Sequence, residues 1–274
     1  MSIKNSAKQL KSIEKIIIAA MRLKFPLDFP NNSAANKRLW EELLHYKTLA
    51  GRINTTEKLY RHLLKTLVNR NMLPSVIKLD KKETEYIKLL HNWNPWETLK
   101  SWGNRQEELA NKIFKISGGK GNTPGRLCIG FAKGVIEGAE LMSRYGTIKD
   151  FWDEAEEAGA DKEFKGGLKF FKNNPITGMG PALSLHFFQR LGLPFYAKPD
   201  THVKDVMKNF AWIADSENDD TVIMQTISDI HAKAGDPYVP YVIDKLLWIT
   251  GSGTLCDTKP AYELGTLKKD LKNI

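Results

Sequence analysis

The sequence predicts an all-α fold, and three observations predict it. Apolar residues recur at helical spacing along most of the chain. Pro26, Pro30 and Pro74 punctuate the first of these runs where helices would end or begin. Strictly alternating runs of Val, Ile and Thr, the mark of half-buried strands, are absent.

The elements follow in order. Ile13, Ile16, Ile17, Ala20 and Met21 fall on one helical face, with Lys8, Lys11 and Lys15 interleaved. Leu39, Leu43 and Leu44 continue into 46–49, and Leu59, Leu63, Leu64 and Leu67 form a further stripe. A helix is expected over 81–90. Residues 91–102, HNWNPWETLKSW, read as aromatic and turn-like, with Asn94 before Pro95. Helices fit 107–116, 126–144 and 148–157. Between the first two, SGGKGNTPG at 117–125 reads as a flexible loop. It lacks the GxxxxGK[ST] order of a nucleotide-phosphate loop, and a plain interhelical connection explains its composition. The tail at 267–274 is mixed in charge and reads as a solvated helix end; no internal repeat is visible.

Composition bounds the function. A chain of 274 residues with 42% hydrophobic content can bury one large core or two small ones. A formal charge of +9 and a pI near 9.3 favour a polyanionic partner, most simply nucleic acid. Two cysteines, Cys128 and Cys256, form no CxxC, which argues against a secreted disulfide scaffold. The apolar run at 16–21 is too short to span a bilayer, and no signal peptide is evident. The expectation is a soluble, cytoplasmic monomer associated with DNA and not with membrane. His45, His62, His91 and His231 are scattered, without HExxH or HxE…CxxC spacing, so a zinc deaminase is disfavoured and no metal is expected.

The most informative stretch is 176–203, ITGMGPALSLHFFQRLGLPFYAKPDTHV. Gly178 and Gly180 flank Met179, and glycine lets another backbone approach closely. Pro181 suits the first turn of a helix, where its missing N–H is no loss. The hairpin amides and the helix N-terminus would present donors to an anion such as a DNA phosphate. Asp200 then stands in PDTH, just before His202. An Asp here also suits a helix N-cap, since THVKDVM after it reads as helical, and the two roles are compatible.

These residues resemble the helix-hairpin-helix DNA glycosylases, the group that includes endonuclease III, the mismatch adenine glycosylase and the 8-oxoguanine glycosylases. The resemblance is nearest to the 8-oxoguanine branches. The family pattern is a hydrophobic-x-Gly-hydrophobic-Gly hairpin, a helix, and an Asp in a (V/P)D-x-H segment; here it is ITGMG, ALSLHFFQRL and KPDTH. The match covers roughly 175–250, and the first hundred residues match nothing nameable. The resemblance implies two helical subdomains flanking a DNA-binding cleft. A helical region at 1–105 would close the cleft or act as an auxiliary, 106–250 would be the glycosylase core, and 251–274 a tail.

The resemblance also implies roles. Asp200 would stabilise the oxocarbenium-like sugar and orient a water nucleophile. Gly178, Met179, Gly180, Ala182 and His202 would lie at DNA. Lys120 and Asn122, in the loop that fills the gap left by a flipped base, would join them. Bifunctional members carry a Schiff-base lysine two residues after the second hairpin glycine; here that residue is Ala182, which implies a monofunctional enzyme. Lys198 is a substitute amine, or a phosphate contact or plain surface lysine. His186 and Trp248 would sandwich the flipped base while Asp244 accepts from its edge, which suits the adjacent donors of guanine. Each has a plainer use as well: His186 and Trp248 as core, Asp244 as a surface acid beside Lys245. Two cysteines cannot supply the four thiolates of the iron–sulfur cluster found in some members, so no cofactor is expected beyond a monovalent cation on the hairpin carbonyls. The partner would be double-stranded DNA with a flipped base. The leading reading is therefore a DNA glycosylase acting on a damaged purine. The alternatives are a defence glycosylase excising a hypermodified base from foreign (phage) DNA, and a non-catalytic hairpin DNA-binding protein.

Overall fold

A computed structural model describes residues 5–69, 73–121, 123–265 and 267–269. In chain order the helices are α1 (Ser6–Lys24), α2 (Asn32–Leu43), α3 (Tyr46–Leu49), α4 (Thr56–Val68), α5 (Leu73–Ile77), α6 (Glu83–Leu89), α7 (Pro95–Trp102), α8 (Gln106–Ile116) and α9 (Arg126–Ser143). They continue as α10 (Ile148–Glu157), α11 (Phe164–Asn173), α12 (Pro181–Arg190), α13 (Thr201–Asn209), α14 (Asp220–Ala234) and α15 (Pro240–Ser252). Two short strands, β1 (Thr254–Leu255) and β2 (Tyr262–Glu263), pair antiparallel. The all-α reading holds, with a two-residue ladder too short to show as alternation in sequence.

The chain forms two compact units, Met1–Ala50 with Phe188–Ile274, and Gly51–Phe187. The boundary falls inside α12. Within the first unit the buried stripe of α1 explains the grouping: Leu10, Ile13, Ile17 and Met21 are fully buried, and α1 packs on α2, α14 and α15. The central helix of this unit is α15, buried nearly all round through Tyr241, Val242, Ile243, Leu246, Leu247 and Ile249. A helix apolar on every face belongs inside a core. Pro240 opens it at a position that needs no N–H, and the left-handed Gly253 ends it.

In the second unit α9 is the central helix, with α4, α7 and α8 packed around it. Gly138 and Gly134 of α9 make the close approaches. A Cβ on Gly138 would meet Leu63 at 2.8 Å, and one on Gly134 would meet the Thr177 carbonyl at 2.8 Å. The Tyr60 hydroxyl donates to the Val135 carbonyl at 2.8 Å, which satisfies its polar tip inside the core. Phe151, Phe170, Phe171 and Phe187 pack edge to face beneath α10 and α11.

The structure differs from expectation at 91–102. Instead of a turn-like stretch there is a 3-10 turn at His91–Trp93 followed by α7. The Asn94 side chain accepts the Glu97 N–H at 2.9 Å, and Pro95 occupies the first helical position. Asn-Pro is here an N-cap and a helix start, so the residues that signal a turn signal a helix boundary equally well. The helices α11 and α14 lie where no individual element was assigned from sequence.

Candidate active site

In the first unit, α15 acts as a rail for the segment that carries Asp200. Four α15 residues spaced three or four apart, Tyr241, Asp244, Trp248 and Gly251, share one face. The Tyr241 N–H, an orphan donor of the first turn, donates to the Pro194 carbonyl at 3.0 Å. One turn on, Asp244 Oδ1 accepts the Lys198 backbone N–H at 3.0 Å. The next turn brings Trp248 to His202, ring centroids 6.3 Å apart and edge to face. Gly251 then passes the His202 backbone so closely that a Cβ would meet its carbonyl oxygen at 2.8 Å.

Asp200 caps α13. Its Oδ1 accepts the His202 and Val203 N–H groups at 3.0 and 3.2 Å, as the capping reading expects. The other oxygen, Oδ2, takes no hydrogen bond from a described residue, and the side chain is half-buried. Its own N–H donates to the Lys198 carbonyl at 2.7 Å, closing a tight turn over Pro199. The residue is thus fixed from both sides and keeps one carboxylate oxygen for another partner.

Asp244 lies inside the first unit. It is 4% exposed, and both its oxygens are engaged inside the unit, since Gln189 Nε2 donates to Oδ2 at 2.7 Å. Burial, with the neighbouring Asp200 charge, pushes its carboxyl up to about 7. Burial pushes the Lys198 amine below its ordinary value, against the opposing pull of Asp200 and Asp244. Trp248 is half-buried, with the Lys245 amine 5.3 Å from its ring centroid. His202 Nδ1 is buried without a hydrogen-bond partner.

A second polar cluster in this unit is a structural clamp. Glu42, fully buried, accepts the N–H groups of Cys256, Asp257 and Thr258 at 3.0, 2.6 and 3.0 Å. Arg38 bonds the Thr258 and Pro260 carbonyls. Burial alone would raise the Asp257 carboxyl, but the Lys245 and Arg190 charges outweigh it and hold the group at about 2. Glu42, Cys256 and Asp257 bring donor atoms within 4.8 Å of one another. The carboxylates are already taken up by three backbone amides and two cationic side chains, which disfavours a metal ion there.

In the second unit, the hairpin is built on α9. Glu137 accepts the Thr177 N–H, and the Met179 N–H returns to the Ile176 carbonyl at 2.9 Å. Gly178 adopts φ 93°, a conformation that calls for glycine. The Gly178 and Gly180 N–H groups have no acceptor among the described residues. A Cβ at Gly180 would meet nothing within 4 Å, so the fold itself gives no reason for glycine there. Ala182 lies in the first turn of α12, half-buried, and His186 one turn on has its Nε2 2.7 Å from Asn69 Nδ2. Lys120 is exposed in a loop whose Gly118 and Gly121 have φ of 80° and 108°; Asn122 lies outside the described residues.

The structure therefore gathers Lys198, Asp200, His202, Asp244 and Trp248 in one unit, and Gly178, Met179, Gly180, Ala182 and His186 in the other. Sequence reasoning missed Gln189 and Glu137. Gln189, between the buried Phe188 and Leu191, offered a signal as a polar residue in an apolar run; Glu137, one turn from Lys133 on α9, offered none.

No family model matches the chain, and no curated protein matches it. Among solved structures, the 8-oxoguanine DNA glycosylase of Thermotoga maritima is similar, with a TM-score of 0.51 and 17% identity, over 91% of this chain and 99% of that one. The chain has an all-α fold of the helix-hairpin-helix DNA glycosylase type. No helix among the described residues is long and apolar enough to cross a membrane.

Proposed function

We propose that this chain is a DNA N-glycosylase that takes a flipped base from duplex DNA and hydrolyses its bond to C1′ of the sugar. The observation that carries the reading is Asp200, with one oxygen fixed as a helix cap and the other left open. As the C1′–N bond breaks, its electrons leave on the base and positive charge develops on the sugar. A fixed carboxylate stabilises that charge. Water then adds to C1′, oriented by the same carboxylate, and its proton passes through that carboxylate to the departing base anion, leaving an abasic site and the free neutral base. The Gly178 and Gly180 amides bind a phosphate, aided by the N-terminus of α12. Trp248 stacks on the base.

A guanine-type lesion is the favoured base, supported by what the structural neighbour acts on. Asp244 is left out of the base pocket in this reading, because both its oxygens have partners inside the unit. Ala182 stands where a Schiff-base lysine would be, so the product is an intact abasic strand.

The test is base release from a panel of duplexes carrying 8-oxoguanine, an alkyladenine or a hypermodified pyrimidine, each read by mass spectrometry of the freed base. Release from the 8-oxoguanine duplex is expected, with little covalent complex trapped by borohydride. DNA binding with no release from any duplex would leave a non-catalytic binding module. Efficient trapping would overturn the monofunctional reading, and its loss in Lys198→Ala would identify the amine.

A further inference from the structure

We propose that Asp244 is a positioning residue, which aims Asp200 by holding the Lys198 backbone. The inference rests on the reading of Asp200 as the catalytic carboxylate, and assigns to Asp244 a task other than base recognition.

The geometry forms a single chain of contacts. Gln189, 2% exposed near the end of α12, donates to Asp244 Oδ2 at 2.7 Å. Asp244 Oδ1 accepts the Lys198 N–H at 3.0 Å, and the Lys198 carbonyl accepts the Asp200 N–H at 2.7 Å. Both backbone groups of Lys198 are thereby committed, one to α15 and one to Asp200. The Pro194 carbonyl, held by the Tyr241 N–H, anchors the same segment one helical turn earlier. Two anchors on a buried helix fix the approach to Asp200, and the α13 cap fixes its side chain.

The choice of residue also calls for a reason beyond stability. A buried carboxylate beside a second carboxylate is an unfavourable way to fill a core position. The site keeps it because a carboxylate can accept from a side-chain amide and a backbone amide at once, while α15 holds both oxygens in place. A base-edge reader needs an exposed acceptor; this one is enclosed.

The test uses the full chain, with Asp244→Ala to remove the brace and Asp244→Asn to conserve it. Asn can accept from Lys198 through Oδ1 and donate to the Gln189 carbonyl once that amide turns over. Amide hydrogen exchange is followed over 194–203 and over the hairpin at 176–183. Single-turnover release is measured on an 8-oxoguanine duplex, and binding on a duplex with a tetrahydrofuran abasic analogue. Asp244→Ala should speed exchange at 198–203 by about ten-fold or more, because local opening then breaks one contact fewer. It should leave the hairpin protected, and it should slow release while sparing analogue binding. Asp244→Asn should restore most of the protection and most of the rate. Wild-type exchange in Asp244→Ala overturns the proposal. So does a rate loss in Asp244→Asn as large as in Asp244→Ala with protection intact, since a base-reading acceptor behaves that way. If the exchange result holds but the wild-type chain releases no 8-oxoguanine, the brace stands and the substrate assignment fails.

Discussion

At Asp200 one carboxylate oxygen caps α13 and the other takes no hydrogen bond from a described residue, and that separates two effects of mutation. Asn caps a helix as well as Asp does, so Asp200→Asn should leave α13 and the melting temperature nearly unchanged. Under the proposed function it would remove the charge facing the developing cation, and base release should fall by about 10²–10³ with duplex binding retained. Single-turnover release on both proteins measures this; equal rates would remove Asp200 from the chemistry. Asp244 makes a prediction in pH. The charges that face it are Asp200, Lys198 from the same segment and Lys245 from its own helix, with the neutral Gln189 from α12. Its carboxyl sits at about 7 in the folded chain against an ordinary value of 3.8, so between those two values the native state holds a proton that the unfolded state has lost. This group therefore subtracts stability as pH rises between those two values. The full penalty, on the order of 4 kcal/mol, is present above about pH 7. Denaturant midpoints at about pH 5 and pH 8 should fall more for wild type than for Asp244→Asn. Parallel curves would place the titration elsewhere. Trp248→Ala should weaken release of every base alike, since stacking is worth about 1–3 kcal/mol and depends little on base identity.

At the scale of elements, the hairpin separates a glycine the backbone requires from one it does not. Gly178 stands at φ 93°, so any side chain there strains the turn itself. Gly180 has an ordinary φ and open space around its missing Cβ. Gly180→Val should therefore melt close to wild type and yet bind all duplexes more weakly by a similar factor, because phosphate contacts carry no base information. A loss confined to one lesion would assign Gly180 to the base pocket instead. The hairpin, its helix and the Asp200 cap were legible in sequence because each is a local signal, carried by neighbouring residues with one physical reason apiece. The partnership of Asp244 with Gln189 and Lys198 was not legible, because it exists only once α15 lies along the 194–202 segment. The same holds for Glu137, whose carboxylate meets Thr177 only after α9 packs beneath the hairpin. At 94–95 the signal was local but ambiguous, since Asn-Pro opens both turns and helices.

The whole molecule carries a formal charge of +9, and under the proposed function that charge would act on DNA without regard to sequence. Neutralising phosphates releases counterions, so the logarithm of affinity should fall linearly with the logarithm of salt concentration. The slope is about −0.9 for each contact, and six contacts would lose about 10³ in affinity between roughly 50 and 200 mM. Different variants should then change different parts of that line. Asp200→Asn should keep the wild-type slope, since an acid contributes no cationic contact. Gly180→Val should lower affinity at every salt concentration with little change of slope, because the donor it obstructs is an uncharged amide. Lys120→Ala should reduce the slope by about one if the 117–125 loop lies against a phosphate. Titrating each variant with an undamaged fluorescent duplex across the salt range measures all three. A Lys120→Ala line that overlays wild type would remove that loop from the DNA interface and leave its glycines as an ordinary connection between α8 and α9.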